Sequence, residues 1–380
     1  MIKTGQKILI VGDTAQALMD FKGKLIEELA EQHKVYVFTP PILKKQYRDK
    51  LTLMKVGIYE SQLRGSNVSI ISDLKYIVNL YNVIKQVRPD IFFPSTFKPV
   101  IYGTLLAKLC RVKRIVPMLS GLGYNFTEKG KNGLLSKITR ILLKFSLLHS
   151  RSLKIIFQNK DDYQTLLSYN ILNEKHKAFV VSGSGVDLDH YKYDEPDTKN
   201  IGFLMMARLI NAKGIYEYFE AAKEIRSRFP NIEFKLIGPY DNNVDAISAE
   251  LFKEINSGTI VQYVGNVDDV RPYVKNAAIV VLPSYYGEGI PRSLLESMAM
   301  GRPIITCDSV GCRETIVSSP AINGFLVPPK DVPALVSKME YYINNPHAIR
   351  TDGLNGLAYA KKRFSVYLVN ADVLKIMELK

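Results

Sequence analysis

Tryptophan is absent from this chain of 380 residues, cysteine occurs three times and histidine five times. Cys110, Cys307 and Cys312 have neither metal-ligand spacing nor a paired pattern. That argues against a disulfide scaffold and a cysteine-ligated zinc module, and a reducing cytoplasm is the expected compartment. Long apolar runs are missing as well. Ile8 to Val11 is followed at once by Gly12-Asp13, and no stretch is long enough to span a bilayer. Met1 to Lys7 carries no secretory apolar region, so export is not expected. No Gly-x-Gly-x-x-Gly follows the first strand and there is no P-loop, which argues against a dinucleotide cofactor and a P-loop nucleotidase. The five histidines share no spacing that would make a site, and there is neither a short-period repeat nor a low-complexity tract.

What is present is an ordinary globular composition, 47% hydrophobic and 23% charged, on a chain too long for one core. Two domains are expected: residues 1–190, and 191–363 with the terminal helix, about 364–380, returning to the first. The linker is expected in Tyr191 to Asn200, a polar and acidic stretch around Pro196. Charge separates the halves. Met1 to Gly185 holds 29 Lys+Arg against 13 Asp+Glu, a balance of +16, and the remainder holds 22 against 24. A basic half-molecule reads as a binder of polyanions: nucleic acid, anionic lipid headgroups or a phosphorylated acceptor.

Strand and helix patterns alternate throughout. Lys7–Val11, Lys34–Phe38, Asp90–Phe93, Arg114–Met118, Lys154–Asn159 and Ala178–Val181 read as strands of a first parallel sheet. Ile201–Met206, Glu233–Gly238, Ile260–Gly265, Ile279–Leu282, Arg302–Thr306 and Gly324–Val327 read as a second. Helices are expected between them, and Leu354 to Lys380 is helical by pattern. In such sheets ligands gather outside the carboxyl ends of the strands. Gly12, and the loop Ser120-Gly121-Leu122-Gly123-Tyr124-Asn125-Phe126, lie at such ends in the first half.

The most informative stretch runs from Gly287 to Gly301. A buried strand ends at Pro283, a polar turn carries Glu288, and Pro291 opens a helix whose apolar face is Leu294, Leu295 and Met298. Glu296 lies one to two turns in. The amides of Arg292 and Ser293 sit at the helix start, where unpaired donors and the dipole favour an anion. Carboxylates flanking such a start suit a ligand with both hydroxyls and phosphates, such as a nucleotide sugar. Arg208 and Lys213 occupy a strand-end loop of the same half. Cations held there would stabilise charge on a departing diphosphate.

Glu288-Gly-x-Pro-x-x-x-x-Glu296, followed by Met-Ala-x-Gly-x-Pro-Ile-Ile, resembles the Glu-x7-Glu motif of glycosyltransferase family 4. Ala207-Arg208-Leu209 with Lys213-Gly214, Tyr263-Val264-Gly265, and Gly311-Cys312-Arg313-Glu314 through Pro329 are similar to the same family, in order. Lys98-Pro99, Gly121-Leu122-Gly123, Phe157-Gln158-Asn159 and Ser184-Gly185-Val186-Asp187 resemble its capsule, O-antigen and N-glycan assembly members. The resemblance implies an α/β GT-B fold, two doubly wound Rossmann-like domains facing a cleft. It implies a retaining hexosyl- or N-acetylhexosaminyltransferase that moves a sugar from a nucleotide donor, most often a UDP-sugar, to a polyprenyl-diphosphate-linked saccharide. Catalysis would rest on Glu288, Arg208 and Lys213, with Arg208 and Lys213 on the donor diphosphate and Glu288 at the sugar hydroxyls beside the Gly289 and Ile290 amides. Arg292 and Ser293 amides would meet phosphate, Glu296 the ribose, and Gly238, Gly265 and Val267 would lie near the base. No cofactor and no metal is implied. Asp161-Asp162 and Asp268-Asp269 read as loop or helix-start residues, not metal ligands.

On the acceptor side the expected residues are Lys98, facing an acceptor diphosphate, with Gly12 and Ser120. Many relatives carry histidine where this chain has Ser120, and serine can supply at most a hydrogen bond there. Leu134 to His149 has an apolar stripe flanked by Lys137, Arg140 and Lys144. It fits a basic amphipathic helix on an anionic membrane or a domain helix with its apolar face on the sheet, the second somewhat better. The expected enzyme is cytoplasmic and peripheral to the inner face of the cell membrane. Alternative readings are a nucleotide-sugar epimerase of the same fold and transfer to a soluble acceptor. A nucleic-acid partner is not expected, because no aromatic-and-basic recognition motif accompanies the charge.

Overall fold

The structure, a computed structural model, describes residues 5–62, 70–123, 126, 133–240 and 245–379, with the backbone alone at 70–72. Tyr124 and Asn125 of the glycine-bearing loop, and the chain ends Met1 to Thr4 and Lys380, lie outside the described residues. The chain divides into two units, Met1–Ser184 with Leu368–Lys380, and Gly185–Tyr367.

The first unit is built on a parallel sheet of β1 (Lys7–Val11), β2 (Lys34–Thr39), β3 (Gly57–Glu60), β4 (Ile91–Pro94) and β5 (Arg114–Ile115), in the order β3-β2-β1-β4-β5. Single bridges, Ser95 to Met118 and Ile115 to Leu153, carry it on into β6 (Met118–Leu119), β7 (Lys154–Phe157) and β8 (Lys177–Val180). Its helices are α1 (Ala15–Ala30), α2 (Lys45–Leu53), α3 (Ile70–Val87), α4 (Thr104–Leu109), α5 (Leu134–Ser146) and α6 (Lys160–Ser168). Ile8, Leu9, Ile10 and Val11 are wholly buried. The strand has helices on both faces and therefore reads as a continuous apolar run rather than an alternating one. Ile8 and Ile10 join one core with α1, and Leu9 and Val11 join the other with α3. The expected single strand Arg114–Met118 is two. Pro117 has no N–H for the ladder and interrupts it, though its carbonyl accepts from Ile156 N at 2.9 Å. Strand β3, short and only half-buried, had no apolar signal to announce it.

The second unit holds six parallel strands, β9 (Gly202–Met206), β10 (Glu233–Ile237), β11 (Gln262–Gly265), β12 (Ile279–Leu282), β13 (Ile304–Cys307) and β14 (Gly324–Val327). Their order is β11-β10-β9-β12-β13-β14. Helices α7 (Ile215–Arg228), α8 (Ala249–Asn256), α9 (Arg271–Lys275), α10 (Arg292–Ala299), α11 (Val332–Asn344) and α12 (Pro346–Tyr359) cover the sheet. The stretch expected as a linker, Tyr191 to Asn200, belongs to this unit. Arg302, wholly buried, is the reason. Its guanidinium donates to the carbonyls of Val274, Ala277, Lys275, Met300 and Asp194, and its Nη2 lies 3.5 Å from the Asp194 carboxylate. An arginine with this many acceptors fixes the acidic segment in place.

The helical tail is likewise broken. A π-turn at Ala360–Phe364 and Ser365 separate α12 from the last helix, α13 (Val366–Ile376). Val186 N donates to Phe364 O at 2.7 Å and Val366 N to Val186 O at 3.0 Å, so the outgoing and returning strands of chain pair just inside the second unit. Gly185 allows this with φ +72°, and a Cβ there would stand 2.6 Å from Val366 Cα. Beyond it Val369, Val373, Leu374 and Met377 enter the first unit's core.

Candidate active site

Parallel strands place their carboxyl ends on one edge of the second sheet, where the loops after β9 to β13 lie. The loop after β9 carries Arg208 and Lys213, and the loop after β12 carries Glu288. Lys213 Nζ makes an ion pair and hydrogen bond with Glu288 Oε1, across 75 residues of sequence. Both side chains are 13% exposed, so water screens the pair little. Ser284 Oγ donates to the same Glu288 oxygen at 3.1 Å. Tyr286 forms a floor under the cations, its ring 5.4 Å from Lys213 Nζ and 5.9 Å from the Arg208 guanidinium. Such a face holds a cation in place without neutralising it.

The loop carrying Lys213 is ordered by Asp245. Its carboxylate accepts from Ala212 N at 2.9 Å, and its carbonyl accepts from the Asn211 amide and backbone N–H. Gly214 then turns the chain into α7 at φ +79°, where a Cβ would stand 2.3 Å from Pro283 O. That contact ties the loop after β9 to the loop after β12 and requires glycine. On the far side, Gly311 at φ +76° lies where a Cβ would be 2.1 Å from Gly289 O and 2.8 Å from Glu288 O. Gly238 leaves room for Ala207 O in the same way, and its N–H donates to Gly265 O at 2.9 Å. Val267 is half-buried just beyond, packed on the core.

Helix α10 begins at Arg292. Pro291 is the residue before the helix, extended at ψ 118°, rather than its first helical residue, and no side chain caps the end. The start therefore presents backbone donors and the positive end of the dipole. Ser293 is half-buried there, and Ile290 is buried in the turn just before. Glu296 is paired with Arg292 one turn back at 2.8 Å, with side chains 12% and 18% exposed. Two shielded carboxylate–cation pairs thus stand at one helix start, on the edge where ligands collect in such sheets.

Residues 7–159 match the family described as "Glycosyl transferase 4-like", and residues 200–345 match "Glycosyl transferases group 1". The chain belongs to the group 1, family 4 glycosyltransferases. It is similar to the N,N'-diacetylbacillosaminyl-diphospho-undecaprenol alpha-1,3-N-acetylgalactosaminyltransferase of Campylobacter jejuni, 27% identical over 356 residues, 89% of this chain and 90% of that one. It is also similar to the UDP-Gal:alpha-D-GlcNAc-diphosphoundecaprenol alpha-1,3-galactosyltransferase of Escherichia coli, 23% identical over 72% of this chain and 71% of that one. Among solved structures, sucrose-phosphate synthase of Thermosynechococcus elongatus superposes with a TM-score of 0.80 at 19% identity, covering 98% of each chain. HepE of Anabaena, solved with UDP and glucose, gives 0.75 at 17%, covering 98% of this chain and 99% of that one. The fold is GT-B.

In the first unit of this glycosyltransferase, the expected acceptor-side residues also lie at strand ends. Ser95 N and Oγ donate to Val11 O at 2.8 and 3.1 Å, and Thr96 N donates to Met118 O at 3.3 Å. These bonds draw the chain leading to Lys98 towards Gly12, which is buried, and Ser120, which is exposed. Lys98, expected to face an acceptor diphosphate, is paired within the unit. Its ammonium is 3.0 Å from Asp73 Oδ1, on α3. Gly121 and Gly123 take φ +113° and +59°, and Leu122 between them is buried. The Leu122 N–H donates to the Asp162 carboxylate, which also takes the Asn159 amide at 2.9 Å. Burial pushes the Asp162 carboxyl up to about 7. The acidic pairs are helix-start or loop residues: Asp161 and Asp162 open α6, and Asp269 pairs with Arg271 at 2.8 Å.

Helix α5 corrects the core-helix reading. Leu134, Ile138, Ile141, Phe145 and Leu148 are 44–73% exposed, while Ser136, Leu143 and Ser146 turn inward. The family's functional pattern did not reveal Asp73, Asp245 or Tyr286, which lie outside its quoted motifs or carry no spacing signal. Ser284 and Gly311 stood inside quoted motifs, and only the structure shows what they touch.

Proposed function

We propose that this glycosyltransferase moves one sugar from a UDP-sugar to a saccharide carried on polyprenyl diphosphate, with retention of anomeric configuration, at an anionic membrane surface. The observation that carries the reading is the paired arrangement at the α10 start, Lys213 with Glu288 and Arg292 with Glu296. Each carboxylate is held by a cation that a phosphate can recruit. An arriving diphosphate draws Lys213 and Arg208 to its oxygens and leaves Glu288 to accept hydrogen bonds from the donor sugar, beside the Gly289 and Ile290 amides. The Arg292 and Ser293 amides meet phosphate, Glu296 takes the ribose, and the base lies by Gly238, Gly265 and Val267. The sugar carbon breaks its bond to the diphosphate oxygen and bonds the acceptor oxygen on the same face. The acceptor's proton passes to the departing phosphate. Lys213 and Arg208 act most strongly when the leaving oxygen bears the most charge, which lowers the barrier rather than merely tightening binding.

Helix α5 supports the membrane part. Its exposed stripe repeats at i, i+4, i+7, i+11 and i+14, and exposed Lys137 and Lys144 flank it. Apolar side chains entering the acyl boundary with lysines at headgroup level is the pattern of an interfacial helix. Among the described residues no helix is long and apolar enough to cross a membrane, so contact is peripheral in this reading. The relatives' lipid-linked acceptors agree with such a surface.

The test is incorporation of label from a panel of radiolabelled nucleotide sugars into the organic-extractable lipid of bacterial membranes, with Glu288→Ala as control. Label from one donor, lost in the variant, is the expected result. Label only in water-soluble product, or an altered free sugar nucleotide, would replace this reading with a soluble acceptor or an epimerase.

A further inference from the structure

Among the described residues of the first unit, Asp73, Lys98 and Tyr102 form a polar cluster that packing does not require. Asp73 sits in the first turn of α3 and is 5% exposed. Lys98 Nζ donates to its Oδ1 and the Tyr102 hydroxyl donates to its Oδ2, each at 3.0 Å. Lys98 and Tyr102 stand four residues apart across the π-turn at Pro99–Gly103. One turn thereby holds the carboxylate of α3 by both of its oxygens. Beneath it lies Tyr76, 0% exposed, whose hydroxyl has no hydrogen-bond partner among the described residues. Burial, then the charges of Asp13 and Asp73, keep that phenol neutral and therefore a donor. The Tyr102 phenol is also pushed up to about 12 by burial and by its bond to Asp73.

Farther along α3, Leu80, Val83, Ile84 and Val87 pack into the core. In its first turn Asp73 meets Lys98, which follows β4, and the charge of Asp13, which follows β1, reaches Tyr76 a turn on. This is the carboxyl edge of the sheet. Burying an ion pair and leaving a phenol unpaired is destabilising, and apolar side chains would serve packing better. A ligand that uses these groups gives them a reason.

We propose that Asp73, oriented by Lys98 and Tyr102, reads the hydroxyls of the acceptor sugar. The inference rests on the transfer reading above and assigns it a specificity residue. A diphosphate would have to break the Lys98–Asp73 pair and lie against the Asp73 carboxylate. A neutral sugar hydroxyl breaks nothing. It donates to a carboxylate oxygen, each of which can accept more than the one bond Asp73 shows. A site built this way rejects an analogue lacking the hydroxyl strongly, because the buried carboxylate is then left under-satisfied. The acceptor's phosphates are left to the basic surface, and Lys98 acts as a positioning residue through Asp73.

The test uses the full chain, a short-chain polyprenyl-diphosphate-linked N-acetylhexosamine, and analogues of it lacking one ring hydroxyl each. The wild-type enzyme is expected to discriminate against one analogue by at least 100-fold in kcat/KM. Asp73→Asn is expected to raise acceptor KM at least tenfold and to shrink that discrimination below tenfold, with UDP affinity unchanged. Tyr102→Phe, which keeps the ring, gives the same effects in smaller measure and covers the case in which Asp73→Asn fails to fold. Unchanged acceptor KM and discrimination in both variants would overturn the inference while leaving transfer intact. So would a Lys98→Met enzyme that loses inhibition by inorganic pyrophosphate and keeps its discrimination, since that marks a phosphate site. If the wild type labels no lipid-linked sugar at all, the transfer reading itself fails, and this inference with it.

Discussion

Helices α10 and α5 carry the same kind of sequence signal and meet opposite fates. In α10, Leu294, Leu295 and Met298 recur at helical spacing and are 0% exposed. In α5, an apolar stripe of equal regularity faces solvent, and Ser136 and Ser146 take the inward positions. The difference lies in what each helix is packed against. Helix α10 follows β12 and lies on β12 and β13, so its stripe falls on the sheet. Helix α5 lies against the π-turn at Pro99–Gly103 and α4 and turns Ser136, Leu143 and Ser146 inward, which leaves its apolar stripe outside. Lys108 secures this arrangement. Its ammonium caps the last carbonyls near the helix end, Ser146 O at 2.8 Å and Leu148 O at 2.6 Å, and burial pushes it down to about 8. An apolar stripe thus announces that a helix has a face to cover, and leaves open whether protein or lipid covers it.

The comparison can be broken in several places. The largest effect is expected at the loop that α10 follows. Glu288→Ala should lower turnover by about 1,000-fold or more, the scale of losing a site-defining electrostatic contact, with an unchanged unfolding midpoint. Near-normal turnover would show that the α10 edge is not the reacting site. Next, Leu295→Ala in α10 should cost about 2–5 kcal/mol of stability by urea unfolding, whereas Ile138→Ala in α5 should stay within about 0.5 kcal/mol. Equal losses would mean that the α5 stripe is covered after all. A triple change of Lys137, Arg140 and Lys144 to Gln should weaken partition onto vesicles rich in anionic lipid on the order of 100-fold, at about 1 kcal/mol per basic residue. Salt-insensitive, unaltered binding would remove the electrostatic half of the membrane reading.

The smallest effect concerns the start of α6, which holds Leu122 of the loop ahead of α5. Asp162 has an ordinary carboxyl value of 3.8 that the fold pushes up to about 7. Between those values the native state holds a proton that the unfolded chain has released. Stability of the first unit should therefore fall as pH rises through this window and be fully present only below it. Urea midpoints at pH 5 and pH 8 measure the slope, and Asp162→Asn should flatten it. A slope that survives the substitution assigns the titration to another group.

Much of the fold is legible in the sequence. Strands buried on both faces write themselves as unbroken apolar runs, as in Ile8–Val11 and Ile279–Leu282, and both sheets follow from them. The second unit's site was legible because its residues cluster in two loops with distinctive glycine and proline spacing. The boundaries were less so. The polar stretch 191–200 reads as a linker, and only Arg302, more than a hundred residues on, makes it part of a domain.

The sequence by itself determined the strand–helix alternation, the two-sheet architecture and the order of the site loops, because period, turn chemistry and helix starts are local properties of neighbouring residues. Tertiary structure alone decided which partner each charge meets. Lys213 finds Glu288 across 75 residues and Lys98 finds Asp73 across 25, and no periodicity encodes either distance. It also decided that the α5 stripe faces outward. Burial is a relation between a face and the surface opposite it, and that surface is assembled only when the chain has folded.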